Sequence, residues 1–236
     1  MIRISFGVWA AMALILVPLA GAQSYTVTNM GDLGGGDSLA LAINDHGAVV
    51  GYSYLTNGDQ RAFIWTSTGG MHNLGNLDGS SALSIARGIN NSGQVAGLSY
   101  LADGDVHPFL WTKAGGMQDL GTLGGTTSVG NAINDSGEVV GNSLLANGTS
   151  QHAFIWTATG GMQDIGTLGG DISSAQGIND SGEVVGLSYL AGNVTNHAFV
   201  LDAKWRDARP WYSRRRTGEQ CVCRERLWRS RRLLRR

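Results

Sequence analysis

The sequence predicts an all-β protein: repeated units of four short antiparallel strands, arranged like the blades of a β-propeller that is either incomplete or four-bladed. Three observations carry that expectation. A tetrad of the form Ala/Gly-Ile-Asn-Asp/Asn recurs with its isoleucine at Ile43, Ile89, Ile133 and Ile178. An aromatic marker recurs as RAFIW, HPFLW, HAFIW and HAFVL, and a leucine-glycine marker as NLGNLDG, DLGTLGG and DIGTLGG. All three keep a period of about 45 residues, the length range of four-stranded blade repeats, and no window of the body sustains apolar residues at helical spacing.

Taken along the chain, the first element is a leader. Residues 1–22 combine an early positive charge at Arg3, an apolar run from about Phe6 to Leu19, and small residues Ala20 and Ala22 at the −3 and −1 positions of a cleavage site. That is the grammar of a secretory signal peptide, and it implies export to the periplasm or the extracellular space. The uncharged run is marginal for spanning a bilayer, and no later segment is apolar enough, so no membrane span is expected after cleavage. The body, residues 23–201, contains no cysteine, and none of its strands can be tied by a disulfide.

Within a unit the third copy serves as the pattern. SVGNAIN (128–134) and EVVGNSLL (138–145) are extended segments joined by a turn of Asp, Ser and Gly; HAFIWT follows the loop ANGTSQ, and Gly160–Gly161 turn the chain into MQDIGTL. Five, three and one residues before each repeating isoleucine the side chains are all small: Ser38, Ala40, Ala42; Ser84, Ala86, Gly88; Ser128, Gly130, Ala132; Ser173, Ala175, Gly177. Alternate positions share a face, so one face of this strand can approach its neighbours closely, as the innermost strand of a blade must. The third segment carries the bulk, in Phe63 with Trp65, Phe109 with Trp111 and Phe154 with Trp156. A solenoid or open sandwich fits the same pattern, but four short strands per repeat favour the propeller. YTVTNMGDLGG (25–35) reads as a lone fourth segment ahead of the first unit, and the last unit ends after its third segment, so the two termini could complete one blade between them.

After Leu201 the grammar stops. Residues 202–236 hold 13 of the 17 Lys and Arg, both cysteines and three of the seven tryptophans, for a local net charge of +9 against −11 over residues 23–201. Codon arithmetic explains the change. Trp is encoded only by TGG, so reading one base later forces glycine at Trp205–Arg206 and at Trp211–Tyr212, and permitted choices elsewhere spell GGMRDLGTLGG. The shifted frame then allows SSAYAVN and DSGEVVGYS. The tail is a fifth repeat translated out of step, expected to be disordered as protein. Its arginines therefore do not argue for specific nucleic-acid binding. The pair Cys221 and Cys223 is too small a ligand set for a zinc site.

Candidate chemistry in the body is sparse. His107, His152 and His197 occupy one repeat position, held by Arg61 in the first unit, and a group required in every unit serves the unit rather than a single catalytic centre. His46 and His72 are single occurrences at turn or solvent-facing positions. The Asn-Asp turns lack the spacing and closing glutamate of a calcium loop, and the Leu-Gly-Gly runs lack the helix and lysine of a phosphate loop. No catalytic residue, metal ligand or cofactor follows from these patterns.

The segment HAFIWT.TGGMQDLGTLGG followed by AINDSGEVVG resembles the HAF-repeat family of extracellular proteins over roughly residues 30–201. The resemblance implies an exported, β-rich bacterial repeat protein with no defined activity and no catalytic residues to carry over. The departures are Arg61 for His, Pro108 for Ala and Leu201 for Trp. The functional expectation is a non-catalytic binding or scaffold module, with protein or carbohydrate at the cell surface as its partner class. A propeller-type enzyme acting on polysaccharide, needing a non-repeating cluster of acids or histidines, and a nonfunctional truncated remnant are the alternatives.

Overall fold

The computed structural model describes residues 25–202; the leader expected over residues 1–22 and the basic tail beyond Asp202 lie outside the described residues. Among the described residues there is no helix, and fifteen strands follow one another. They are β1 (Gly34–Ile43), β2 (Val49–Leu55), β3 (Gln60–Thr66), β4 (Gly70–Gly75), β5 (Ser84–Ile89), β6 (Val95–Tyr100), β7 (Val106–Thr112), β8 (Gly116–Asp119), β9 (Gly124–Ile133), β10 (Val139–Leu145), β11 (Gln151–Thr157), β12 (Gly161–Gly166), β13 (Gly169–Ile178), β14 (Val184–Leu190) and β15 (Asn196–Leu201).

Consecutive strands pair antiparallel within four groups that begin at β1, β5, β9 and β13. β1–β4 form a separate sheet. The other strands are joined into a single eleven-stranded sheet, because short parallel bridges at Val106–Thr127 and Gln151–Ile172 connect the third strand of one group to the first strand of the next. The sheets do not close on themselves. The first strands of successive groups lie beside one another, β1 by β5, β5 by β9 and β9 by β13.

One expectation is corrected at the start of the chain. Residues 25–32 form no strand, and only Leu33 makes a bridge, to Leu55. A fourth segment pairs with the third segment of its own unit, as β4 does with β3, and among the described residues no strand pairs with residues 25–32. The Gly31 carbonyl instead accepts a hydrogen bond from the Ser38 hydroxyl at 2.8 Å.

Burial follows the alternation read from the sequence. Ser84, Ala86, Ser128, Ser173 and Ala175 are all fully enclosed, as are Phe63, Phe109 and Phe154, and Trp156 is buried while Trp65 and Trp111 are half-buried. The core consists of three layers, each between two successive groups. Val50, Ala62 and Leu74 meet Ala86, Ile89, Val95 and Phe109; Ala96, Leu110 and Leu120 meet Val139, Phe154 and Trp156; Val140, Ala153 and Ile155 meet Ala175 and Val184.

A glycine on each second strand makes room for the ring. Gly51, Gly97, Gly141 and Gly186 stand directly opposite Phe63, Phe109, Phe154 and Phe199. A Cβ on any of the four would collide with the carbonyl oxygen of the first strand, at Leu39, Ile85, Val129 or Ser174, because the ladder shifts register at that point. In three of them the same carbon would also press on the phenylalanine ring.

The second group differs where its sequence differs. Leu33, Leu123 and Leu168 each bridge to the end of the second strand in their group, and the glycines after them take left-handed φ values of 101°, 100° and 109°. Leu77 is followed instead by Asp78, and two more residues separate it from Ser84 than separate Leu123 from Ser128. The longer loop is held by Arg61, whose guanidinium donates to the carbonyls of Ser80 (2.8 Å) and Ala82 (3.1 Å) and pairs with Asp59 (3.0 Å). Arginine in the place of histidine thus accompanies the lengthened loop beside it.

Candidate functional site

Three sets of polar side chains bear on function. The first joins one strand group to the next. In the Asn-Asp turns, the side-chain oxygen of each asparagine accepts a local N–H, from Ala48, Gln94, Glu138 or Glu183 at 2.9–3.0 Å. The amide nitrogen of Asn44, Asn90 and Asn134 donates to the carbonyl of the next tetrad's asparagine, at 3.0, 2.9 and 3.1 Å. The following residue continues the link: the N–H groups of Asp45, Asn91 and Asp135 donate to Oδ1 of Asn91, Asp135 and Asp180. Turn formation accounts for half of what these residues do, and the sequence does not announce the other half.

The second set comprises the recurring histidines. His107 Nδ1 lies 2.8 Å from Asp119, and His152 Nδ1 lies 2.8 Å from Asp164, across the third and fourth strands. Each aspartate also accepts an N–H from the glycine two residues later, Gly121 or Gly166. The pair therefore ties the turn at the end of the fourth strand back to the third, a structural use of both members. In the first group Arg61 and Asn73 occupy the corresponding positions, and Arg61 turns to its loop instead. His197 is exposed, on a group whose described residues contain no fourth strand.

The third set lines a cleft of about 780 Å³ between the first two groups. Its walls come from the β1–β2 turn (Asn44, His46, Ala48), the β3–β4 hairpin (Ile64 to Leu74), the β5–β6 turn (Asn91 to Gln94) and the end of β7 (Trp111 to Lys113). Three of its side chains have no like-for-like counterpart in other units: His46 stands where the later turns have serine, His72 where they have glutamine, and Lys113 where they have serine or alanine. Sequence reading set His46 and His72 aside as isolated; they are 26 residues apart, and only the packing of two groups puts both on one cleft with Lys113. Neither imidazole has a hydrogen-bond partner among the described residues, whereas Asn91 and Gln94 are engaged in the turn links. Trp111 supplies a half-buried aromatic wall, and no carboxylate lines the cleft. A smaller recess of about 470 Å³ near Gly34, Gly35 and Tyr54 is lined largely by glycine and loop residues.

Among the described residues no group of three or more His, Cys, Asp or Glu side chains is placed to hold a metal ion, and no helix is long and apolar enough to cross a membrane. Hydrogen bonds from Ser80, side chain first and then N–H, with a further one from Ala102, hold the Asp78 carboxyl below the usual range.

Strand groups packed in succession through their first strands define an all-β chain. Among solved structures it is similar to TolB from Acinetobacter baumannii, with a TM-score of 0.53 and 12% identity over 71% of this chain. An Agrobacterium tumefaciens chain assigned as TolB superposes with a TM-score of 0.47 and 15% identity, covering 66% of this chain and 57% of its own. The chain spans 41% of the Acinetobacter protein, and at this identity the likeness concerns the fold alone. No protein-family model matches the chain, nor does any curated protein sequence.

Proposed function

We propose that the protein is an exported, non-catalytic binding module whose strand groups act as propeller blades and whose ligand site is the cleft between the first two. The reading rests on one observation: the non-repeating His46, His72 and Lys113 gather at that cleft, while the repeating asparagines link one group to the next and His152 pairs within its own group. A concave site with an aromatic wall and a few convergent polar groups is the usual form of a small-ligand pocket. Here the wall is Trp111, and the donors are Lys113 and two imidazoles, with no acid among the lining residues. Those features suit a saccharide carrying carboxylate groups, hydroxyls meeting the imidazoles and the acid meeting Lys113. Export is supported by the signal-peptide pattern of residues 1–22 and by the resemblance to HAF-repeat proteins.

The test is calorimetric and fluorescent titration of the full chain with oligogalacturonate and with a neutral oligosaccharide of equal length. Preferential binding of the acidic chain, weakened at least tenfold by Trp111→Ala and by Lys113→Ala but unchanged by His152→Asn, is the expected result. Binding indifferent to Trp111 and Lys113, or no response to either sugar, would overturn the assignment.

A further inference from the structure

The two ends of the array expose the two halves of an interface that the chain builds three times internally. At the leading end, Ser38, Ala40 and Ile43 of β1 are exposed, Ile43 by 67%. Their counterparts Ser84, Ala86 and Ile89 are buried against the preceding group, Ile89 to 9%. At the trailing end, Val185, Ala198 and Val200 are exposed, Val185 by 50% and Val200 by 69%. The residues matching Val185, namely Val50, Ala96 and Val140, are all fully buried beneath the following group. The polar half of the interface is divided in the same way. Ala62 and Ala153 donate their N–H groups to Ser84 and Ser173 of the next group, at 2.9 and 2.8 Å, a bond Ala198 could make only to a further first strand. Asn179 keeps only the local bond, donating to Glu183 at 2.7 Å as Asn134 does to Glu138, and among the described residues no further tetrad offers the carbonyl that Asn134 also reaches.

We propose that a second copy of this chain occupies these faces, the trailing group of one molecule docking on β1 of the next. The donor and acceptor positions match by repeat symmetry: Ala198 N–H to Ser38 Oγ, Asn179 Nδ2 to the Asn44 carbonyl, with Val185 and Val200 over Ala40 and Ile43. A face contributed by opposite ends is heterologous, so two copies close a ring or several grow head to tail. Either arrangement covers apolar surface that is exposed among the described residues.

Because both target residues are largely exposed, charged substitutions there should leave the fold intact. Ile43→Lys blocks the leading face and Val200→Lys the trailing face. Analytical ultracentrifugation of the full chain should find the unaltered protein associated, each variant monomeric, and an equimolar mixture of the two variants forming a 1:1 dimer through the remaining pair of intact faces. Three results overturn the proposal: an unaltered chain that stays monomeric up to its solubility limit, a single variant that associates as the unaltered chain does, or a mixture that fails to pair while the unaltered chain associates.

Discussion

The side-chain amide of Asn90 donates to the main-chain carbonyl of Asn134, 44 residues further along the chain, at 2.9 Å. Both residues are buried, and each uses its side-chain oxygen to close its own hairpin turn. One amide thus serves local turn and tertiary contact together. Asn90→Ala should cost about 2–3 kcal/mol, since it takes the side-chain donor from the buried Asn134 carbonyl and the acceptor from the Gln94 turn N–H. Asn179→Ala, at the exposed end of the series, should cost about 1 kcal/mol or less. Urea unfolding of the two variants checks this, and equal losses would show that the turn, not the link, is what the asparagine supports.

The glycines opposite the phenylalanines predict a second contrast. Gly141→Ala places a methyl against the Val129 carbonyl and the Phe154 ring, and should destabilise by about 3 kcal/mol through forced backbone movement. Gly148→Ala meets open space and suffers only from its left-handed φ of 70°, a penalty of about 1 kcal/mol. Thermal melts that ranked Gly148→Ala as the worse variant would contradict the packing described.

Serine at the start of the first strands should not be equally valuable in every group. Ser84 accepts the Ala62 N–H and donates to the Gly75 carbonyl, whereas in the next unit the residue matching Ala62 is Pro108, which has no N–H, and Ser128 donates to the Asn142 carbonyl at 3.4 Å. Ser84→Ala is expected to cost about 2 kcal/mol and Ser128→Ala below about 1 kcal/mol. Chemical denaturation of both variants decides the matter.

Arg61 anchors the long loop through its guanidinium and is buried with its aspartate partner nearby. Arg61→His, although it installs the residue found in the other units, should lose about 2–4 kcal/mol, because imidazole cannot reach the Ser80 and Ala82 carbonyls and Asn73 offers no charge. Recovery of full stability by Arg61→His would show that the loop does not depend on the arginine.

Acid should loosen the same loop. Asp78 titrates below the ordinary carboxylate value in the folded chain, so its contribution is present above the unfolded value and disappears as pH falls through the folded one. The Ala102 amide, 2.7 Å from Asp78 Oδ2, should report that midpoint by its NMR shift, and Asp78→Asn should abolish the titration. A midpoint at or above the ordinary value would reverse the sign of the argument.

Much of the fold was legible because repetition averages out local ambiguity. Small residues before Ile43, Ile89, Ile133 and Ile178, and aromatic residues on the third segments, mark one crowded face and one bulky face, and burial at Ser84, Ser128 and Phe154 follows that division. Less legible was the cleft. His46, His72 and Lys113 look incidental because a site formed between two units leaves no local spacing signature; their departure from the repeat was the one available signal.

What the sequence by itself determined is the period, the absence of helix in the described body and the alternation that sends small side chains to one face, since strand geometry and turn chemistry are local properties carried by every copy. Which side chains remain free for a ligand was decided only by tertiary structure. An asparagine amide can be spent on its own turn, on water or on a carbonyl one repeat away, and nothing in its neighbouring residues distinguishes these. The distance between Asn90 and Asn134 exists only once two strand groups are stacked, and the same stacking that consumes those amides leaves His46 and His72 facing an open cleft.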